Sequence, residues 1–265
     1  MTESTIPNPL SRPDLFHYYA PAEPGGVGVA FTQRHGGVSQ PPFDSLNLGN
    51  TSHDDPVAVM TNLASLRQQL GLTRLIGLRQ VHSAHVVTFS GPTPTTAVNG
   101  VVESFAAADG VVTGARRVGL LIRVADCLPV LVADPDHGLI GAAHAGRVGL
   151  LAGVLPALVA QLRAAGAEQL TAWIGPHICA ACYEVPADMA AAAWRQLPAT
   201  EARTTAGTPA IDLAAGASAQ LRQLDCTVVR LDPCTAETPD LFSYRRDGVR
   251  SGRQAGVIWL AEPAV

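Results

Sequence analysis

Apolar residues fall along this chain mostly in short runs. Val27-Gly28-Val29-Ala30-Phe31 predicts a strand. Further runs at 75–79, 84–89, 111–113, 118–124, 128–133 and 138–143 are bounded by Gly, Pro and Asp, the pattern of strands in a buried sheet. Helical spacing separates some of them. Asp54-Asp55-Pro56 ahead of Val59, Leu63, Leu66 and Leu70 supplies a cap and a first-turn proline, and Gly71 a stop, which predicts a helix over 56–70. The apolar stretch 149–165 predicts a second helix that Pro156 either kinks or opens. Helices follow near 186–196 and 211–224, and strands near 170–174, 226–231 and 255–260.

Loops separate these elements. Residues 34–49 are Gly-rich, 91–100 carry Pro and Thr, 198–209 read as an exposed loop, and 1–25 read as a Pro-rich polar N-terminal extension. No repeat of 20–50 residues is present. The pattern predicts a mixed α/β fold with many strands, one domain over 26–265.

Composition narrows the chemistry. All 18 basic residues are Arg, so a Schiff-base lysine and a P-loop lysine are excluded, and anions must be held by Arg, backbone N–H groups or metal. The net charge of −4 gives no cationic footprint for nucleic acid. The most apolar region, 118–162, is interrupted by Arg123, Asp126, Asp134, Asp136 and Arg147, which are costly in a bilayer, so no membrane partner is expected. Five cysteines behind a start with no basic segment or apolar core favour a reducing cytoplasm with free or metal-bound thiols.

Three side chains carry the candidate chemistry. Cys127 stands between two apolar strands, His144 follows a strand and precedes a helix, and His82 lies in Gln80-Val81-His82. Thiolate and imidazole are ligands that Zn²⁺ prefers, and three protein ligands with an open fourth position mark a catalytic rather than a structural zinc. His85 is three positions from His82 and on an extended strand would face the other way, so the pair is not expected to share a metal. Each residue alone has a plain alternative: a core thiol for Cys127, a hydrogen-bonded structural residue for either histidine.

A collinear set of motifs extends from Phe31 to Trp259. It comprises Thr32-Gln33-Arg34-His35-Gly36-Gly37-Val38-Ser39 with Leu46-Asn47-Leu48-Gly49, Gln80-Val81-His82, Ala108-Asp109-Gly110, Ala125-Asp126-Cys127-Leu128-Pro129, His144-Ala145-Gly146, Ile174-Gly175-Pro176 with Cys182-Tyr183-Glu184-Val185, and Cys234-Thr235 with Phe242-Ser243-Tyr244-Arg245-Arg246. In these the chain resembles the YfiH family, also called laccase-domain or polyphenol-oxidase-like. The resemblance implies a layered α-β-β-α sandwich in which His82, Cys127 and His144 bind zinc. It implies purine nucleoside phosphorylase activity on adenosine, inosine and methylthioadenosine, with adenosine deaminase activity in the same protein. The partners are then a purine nucleoside and phosphate, and a homodimer is left open.

Cys127 and His144 are the expected catalytic groups with Asp109 as an acid/base or orienting carboxylate. Arg34, Asn47 and Arg245 are the expected substrate-binding residues, with substrate lying against the 34–49 loop and the helix start after His144. Three features depart from the family pattern: Arg147-Val148-Gly149 replaces Trp-Arg-Gly, Val124 replaces a Thr before Ala-Asp-Cys, and Cys179 replaces a Gly and reads as an incidental loop thiol. A laccase-like polyphenol oxidase is a weaker alternative, because the eight histidines include no H-x-H pair. Two others are a metal-free hydrolase with Cys127 as nucleophile and His144 or His82 as base, and a zinc-stabilised interaction module whose fourth ligand is Cys179 or Cys182.

Overall fold

The computed structural model describes residues 13–49, 53–91 and 97–264. Residues 1–12 of the expected extension and 92–96 of the expected 91–100 loop lie outside the described residues. The first half contains β1 (Phe16–Ala20), β2 (Val27–Thr32), α1 (Pro56–Gln69), β3 (Arg74–Gly77), β4 (Val86–Thr88), β5 (Val101–Val102), β6 (Gly110–Thr113), β7 (Val118–Val124) and β8 (Leu128–Asp134). The second contains β9 (Leu139–Ala145), α2 (Arg147–Ala152), α3 (Val154–Ala164), β10 (Thr171–Ile174), α4 (Ala187–Gln196), β11 (Glu201–Arg203), β12 (Pro209–Ile211), α5 (Leu213–Gln223), β13 (Thr227–Arg230), α6 (Tyr244–Asp247) and β14 (Gln254–Leu260).

Two mixed sheets form the middle of the molecule. One runs β1-β2-β14-β7-β3-β5 and the other β13-β10-β8-β9-β6-β4. Their facing sides share one core, in which Phe31, Leu120, Ile122 and Ile258 meet Leu131, Ala133, Ile140 and Ala142. The outer face of the first sheet packs Leu121, Val257 and Trp259 against Leu63 and Leu66 of α1. The outer face of the second packs Val130, Val132 and Ala143 against Leu155 and Leu158 of α3 and Leu221 of α5. This is an α-β-β-α sandwich. Each central strand is apolar on both faces because alternate residues enter different layers, as along β7, where Leu120 and Ile122 face one core and Leu121 the other.

Three local expectations change. The helix over 149–165 is two helices, and the break is at Gly153, whose φ of 90° ends α2 and opens α3. Pro156 falls in the first turn of α3, where its missing N–H costs nothing. Within 198–209 the chain forms a 3₁₀ turn and β11, which pairs with β12 as a small hairpin. Part of the stretch read as an extension is β1, which pairs antiparallel with β2 at the sheet edge.

Buried Asn62 on α1 fixes the long loop that follows β2. Its Nδ2 donates to Ser39 Oγ at 3.0 Å, the Ser45 carbonyl at 3.1 Å and the Asn47 carbonyl at 2.9 Å, while its Oδ1 accepts from Val38 N–H at 2.9 Å. Asn62→Leu is expected to strand several buried polar groups and lower stability by roughly 3 kcal/mol, against about 1 kcal/mol for Ser39→Ala. Urea unfolding of both variants checks the difference.

Candidate active site and metal centre

His82 and Cys127 sit where the chain leaves one sheet for the other. The loop from β3 to β4 carries His82, and the three-residue connection from β7 to β8 carries Cys127. His144 is the penultimate residue of β9. Strand register aligns the rest: Leu128 pairs with Ala145 across β8 and β9, Gly110 pairs with Ala143 across β6 and β9, and His144 N–H donates to the Asp109 carbonyl at 2.7 Å. The ligand atoms of His82, Cys127 and His144 all lie within 4.8 Å of one another. The two imidazoles meet edge to face with centroids 4.7 Å apart.

Asp109 holds this group in place. Its carboxylate accepts from Val81 N–H at 3.1 Å, His82 N–H at 3.0 Å, Ser83 N–H at 2.6 Å and Ser83 Oγ at 2.8 Å. The ionised carboxylate also accepts from His144 Nδ1 at 2.8 Å, so that nitrogen carries a proton and Nε2 is turned toward Cys127. Burial alone would raise the Asp109 pKa, but these donors outweigh it and hold the carboxyl well below its ordinary range. Burial likewise opposes the Cys127 thiolate, yet the charge and hydrogen bond of His144, with those of His82, bring the thiol down to about 6. His144 is raised to about 9: its burial is outweighed by the Cys127 charge and the Asp109 hydrogen bond. A low-pKa thiol between two imidazoles is the ionisation state in which Cys ligates metal.

Two backbone positions in the site are held at positive φ. They are His82 at 60° and Asp126 at 100°, each costing about 1–3 kcal/mol for a residue with a side chain. Asp109 offsets the first. The second is held by the Asp126 carboxylate, which accepts from Thr235 Oγ1 at 2.7 Å, Ser243 Oγ at 2.7 Å and Arg245 N–H at 2.7 Å.

The His-Cys-His group opens into a cavity of about 620 Å³. Leu78, Ile178, Leu213, Tyr183 and Tyr244 give it apolar and aromatic walls, and Arg79, Arg245 and Arg253 line it with positive charge. Arg245 lies over the Tyr183 ring at 5.2 Å and Arg253 over Tyr244 at 5.9 Å. His82 is exposed, Cys127 half-buried and His144 buried, so the three donors close the site on one side only.

The expected substrate residues separate. Arg245 lines the cavity, whereas Arg34 does not. Its guanidinium donates to the Asp44 carbonyl at 2.9 Å, pairs with the Asp44 carboxylate and stacks over Phe242, which commits it to its own loop. Asn47 is fully buried; its Oδ1 accepts from Gly49 and Arg253 N–H groups and its Nδ2 donates to Asp54, so it positions Arg253 and does not line the cavity itself. Of the 34–49 loop only Gly49 reaches the cavity. Asp109 orients His82 and His144 from behind and is likewise absent from the lining. His85 lies outside the group, its Nδ1 3.2 Å from the Ala107 carbonyl; the cause is the irregular 81–85 loop rather than strand alternation. Cys179 and Cys182 do not supply a fourth ligand here, for they cluster with Cys234 and Glu237. Arg79 and Arg253 escaped the sequence reading: single arginines in connecting segments carry no periodic signal.

The fold and site together define a layered α/β protein with an open His-Cys-His centre at one end of its sandwich. Residues 28–261 match the family described as multi-copper polyphenol oxidoreductase laccase, and the chain belongs to that laccase-like YfiH family. It is 44% identical over 249 residues to purine nucleoside phosphorylase ORF3 of Streptomyces griseus, covering 92% of this chain and 98% of that protein. It is 37% identical over 238 residues to a purine nucleoside phosphorylase of Deinococcus radiodurans, covering 88% and 89%. Among solved structures it resembles YlmD from Geobacillus stearothermophilus, with a TM-score of 0.78, 31% identity and coverage of 94% and 100%.

Gly146 sets how closely the ligands approach. A Cβ there would lie 2.9 Å from Cys127 Sγ and 2.9 Å from His82 Cδ2. Gly146→Ala is expected to push the two apart and lower the affinity of this group for an added divalent metal at least ~10-fold with the fold retained. Competition with a chromophoric chelator, alongside circular dichroism, measures it.

Proposed function

We propose that this chain is a zinc-dependent purine nucleoside phosphorylase of the cytoplasm, acting on adenosine, inosine and methylthioadenosine, with adenosine deaminase activity at the same centre. The observation that carries the reading is the three-donor His82, Cys127 and His144 group opening into an arginine-lined cavity. Two imidazoles and one thiolate form a donor set that zinc accepts in catalytic sites. Donor atoms within 4.8 Å of one another need only modest side-chain adjustments to match the ~3.3–3.8 Å edges of a tetrahedron with bonds of ~2.0–2.3 Å. Bound zinc supplies Lewis acidity, which suits both the departure of a purine and the activation of water for loss of ammonia. No helix among the described residues is long and apolar enough to cross a membrane.

The chain's own groups account for binding. The apolar and aromatic lining of Leu78, Ile178, Leu213, Tyr183 and Tyr244 suits a flat purine. Arg245 and Arg253 supply the positive charge for phosphate, which attacks the sugar C1′ as the bond to the base nitrogen breaks. Asp109 fixes the His144 tautomer and so keeps Nε2 directed away from its own carboxylate. The name of the family points to copper oxidase chemistry, but this donor set contains two histidines where multicopper centres draw on many.

Cys127→Ala is expected to leave a folded protein that has lost the metal of this centre and at least ~100-fold of its phosphate-dependent base release, since a thiolate bond and its charge vanish together. Metal content, circular dichroism and chromatographic detection of free base test it on one sample. Wild-type protein that binds zinc here yet releases no base from any of the three nucleosides in phosphate would overturn the assignment. Arg245→Gln is expected to raise the KM for phosphate by roughly 10–100-fold, the worth of one charge-assisted hydrogen bond, with a smaller change in kcat.

A further inference from the structure

Two tight turns meet behind the cavity wall. In the first, Cys182 N–H donates to the Cys179 carbonyl at 3.1 Å and Tyr183 N–H to the same carbonyl at 3.0 Å. In the second, Glu237 N–H donates to the Cys234 carbonyl at 3.2 Å and Thr238 N–H to it at 2.9 Å. Each turn brings residues i and i+3 to one side, giving a Cys-x-x-Cys pair and a Cys-x-x-Glu pair. A parallel bridge between His177 and Cys234 holds the turns against each other, with Thr235 N–H donating to the His177 carbonyl at 2.9 Å. The three sulfurs and a Glu237 oxygen all lie within 4.8 Å of one another.

We propose that Cys179, Cys182, Cys234 and Glu237 form a second metal site, a closed structural zinc centre distinct from the His-Cys-His group. Four converging donors, three of them sulfur, fit tetrahedral Zn²⁺ and leave no position for substrate. Bonds of ~2.3 Å to sulfur make tetrahedral edges of ~3.8 Å, so the ligands close by about an ångström or less. Cys179 N–H already donates to Cys234 Sγ at 3.4 Å, which holds the two turns in register. The cysteines are half-buried or buried and Glu237 is exposed, so metal enters from the Glu237 side. On binding, the thiol protons pass to solvent and the thiolates take up the metal.

The placement gives this zinc a task. The first turn lies between Ile178 and Tyr183, both on the cavity wall. The second contains Thr235, whose hydroxyl donates to Asp126 beside Cys127. The Arg245 guanidinium donates to the Glu184 carbonyl at 3.0 Å, just past the first turn. One metal therefore clamps the wall that carries Tyr183 to the segment that braces Asp126.

The test uses full-length protein purified under reductant, stripped with chelator and titrated with Zn²⁺ or Co²⁺. Wild type is expected to bind two equivalents. Cys127→Ser is expected to keep one, with strong thiolate-to-cobalt charge-transfer absorption from three sulfurs. Cys182→Ser/Cys234→Ser is expected to lose that equivalent and most of the absorption. Should the double variant fail to fold, Glu237→Gln at the exposed ligand is expected to weaken the sulfur-rich equivalent more than ~10-fold. In wild type, zinc is expected to protect Cys179, Cys182 and Cys234 from alkylation. A single equivalent that Cys127→Ser abolishes, equal alkylation of these thiols with and without zinc, or a disulfide among them under reductant overturns the proposal.

Discussion

The Asp109 carboxylate is the contact on which the site depends. A fully buried carboxylate is costly unless every lone pair is engaged, and here three successive backbone N–H groups, a hydroxyl and an imidazole N–H converge on it. Those donors come from different parts of the sandwich. Residues 81–83 belong to the crossing from β3 to β4, and His144 to β9. One negative charge thus fixes the loop that carries His82, the tautomer of His144 and the distance between them.

Asp126 does the corresponding work on the other side of Cys127. Its own backbone is held at positive φ, and its carboxylate gathers Thr235, Ser243 and Arg245 from the long segment between β13 and β14. That segment ends with Arg253, whose N–H donates to Asn47 Oδ1 at 2.8 Å, and Asn47 is held in turn by Asn62 of α1. Burial pulls the Arg253 guanidinium below the usual arginine range, with Cys127 and Asp126 opposing the shift. In a chain without lysine, cavity charge thus rests on guanidinium groups anchored through their main chain or stacked on aromatic rings.

The cavity lies at one end of the sandwich because the sheets exchange strands there. β7 leads into β8 and β3 toward β4 across the gap between sheets, the first crossing turning within three residues and the second through the 78–85 loop. Sharp turns bring strained backbone, and strained backbone brings buried polar support. The same crossings expose Cys127 and His82 to the cavity while the strands behind them remain apolar on both faces.

The sequence by itself determined most of the elements and the candidate donor residues. Apolar runs bounded by Gly, Pro and Asp located most of the strands, because a strand covered on both faces has no other pattern available, and Asp55-Pro56 located α1 through its cap. The ordered motifs named His82, Cys127 and His144, and the chain folds so that they meet. Tertiary structure decided what period and spacing do not encode. Gly153 rather than Pro156 divides the helix, since only the glycine adopts φ of 90° without cost. Arg34 and Arg253 look alike in sequence, but one is consumed by Asp44 and Phe242 while the other lines the cavity. Cys179, read from the sequence as an incidental loop thiol, gains its neighbours Cys234 and Glu237 from 55 residues and more downstream. Such partnerships arise from register between distant strands, and register is set by how the layers pack.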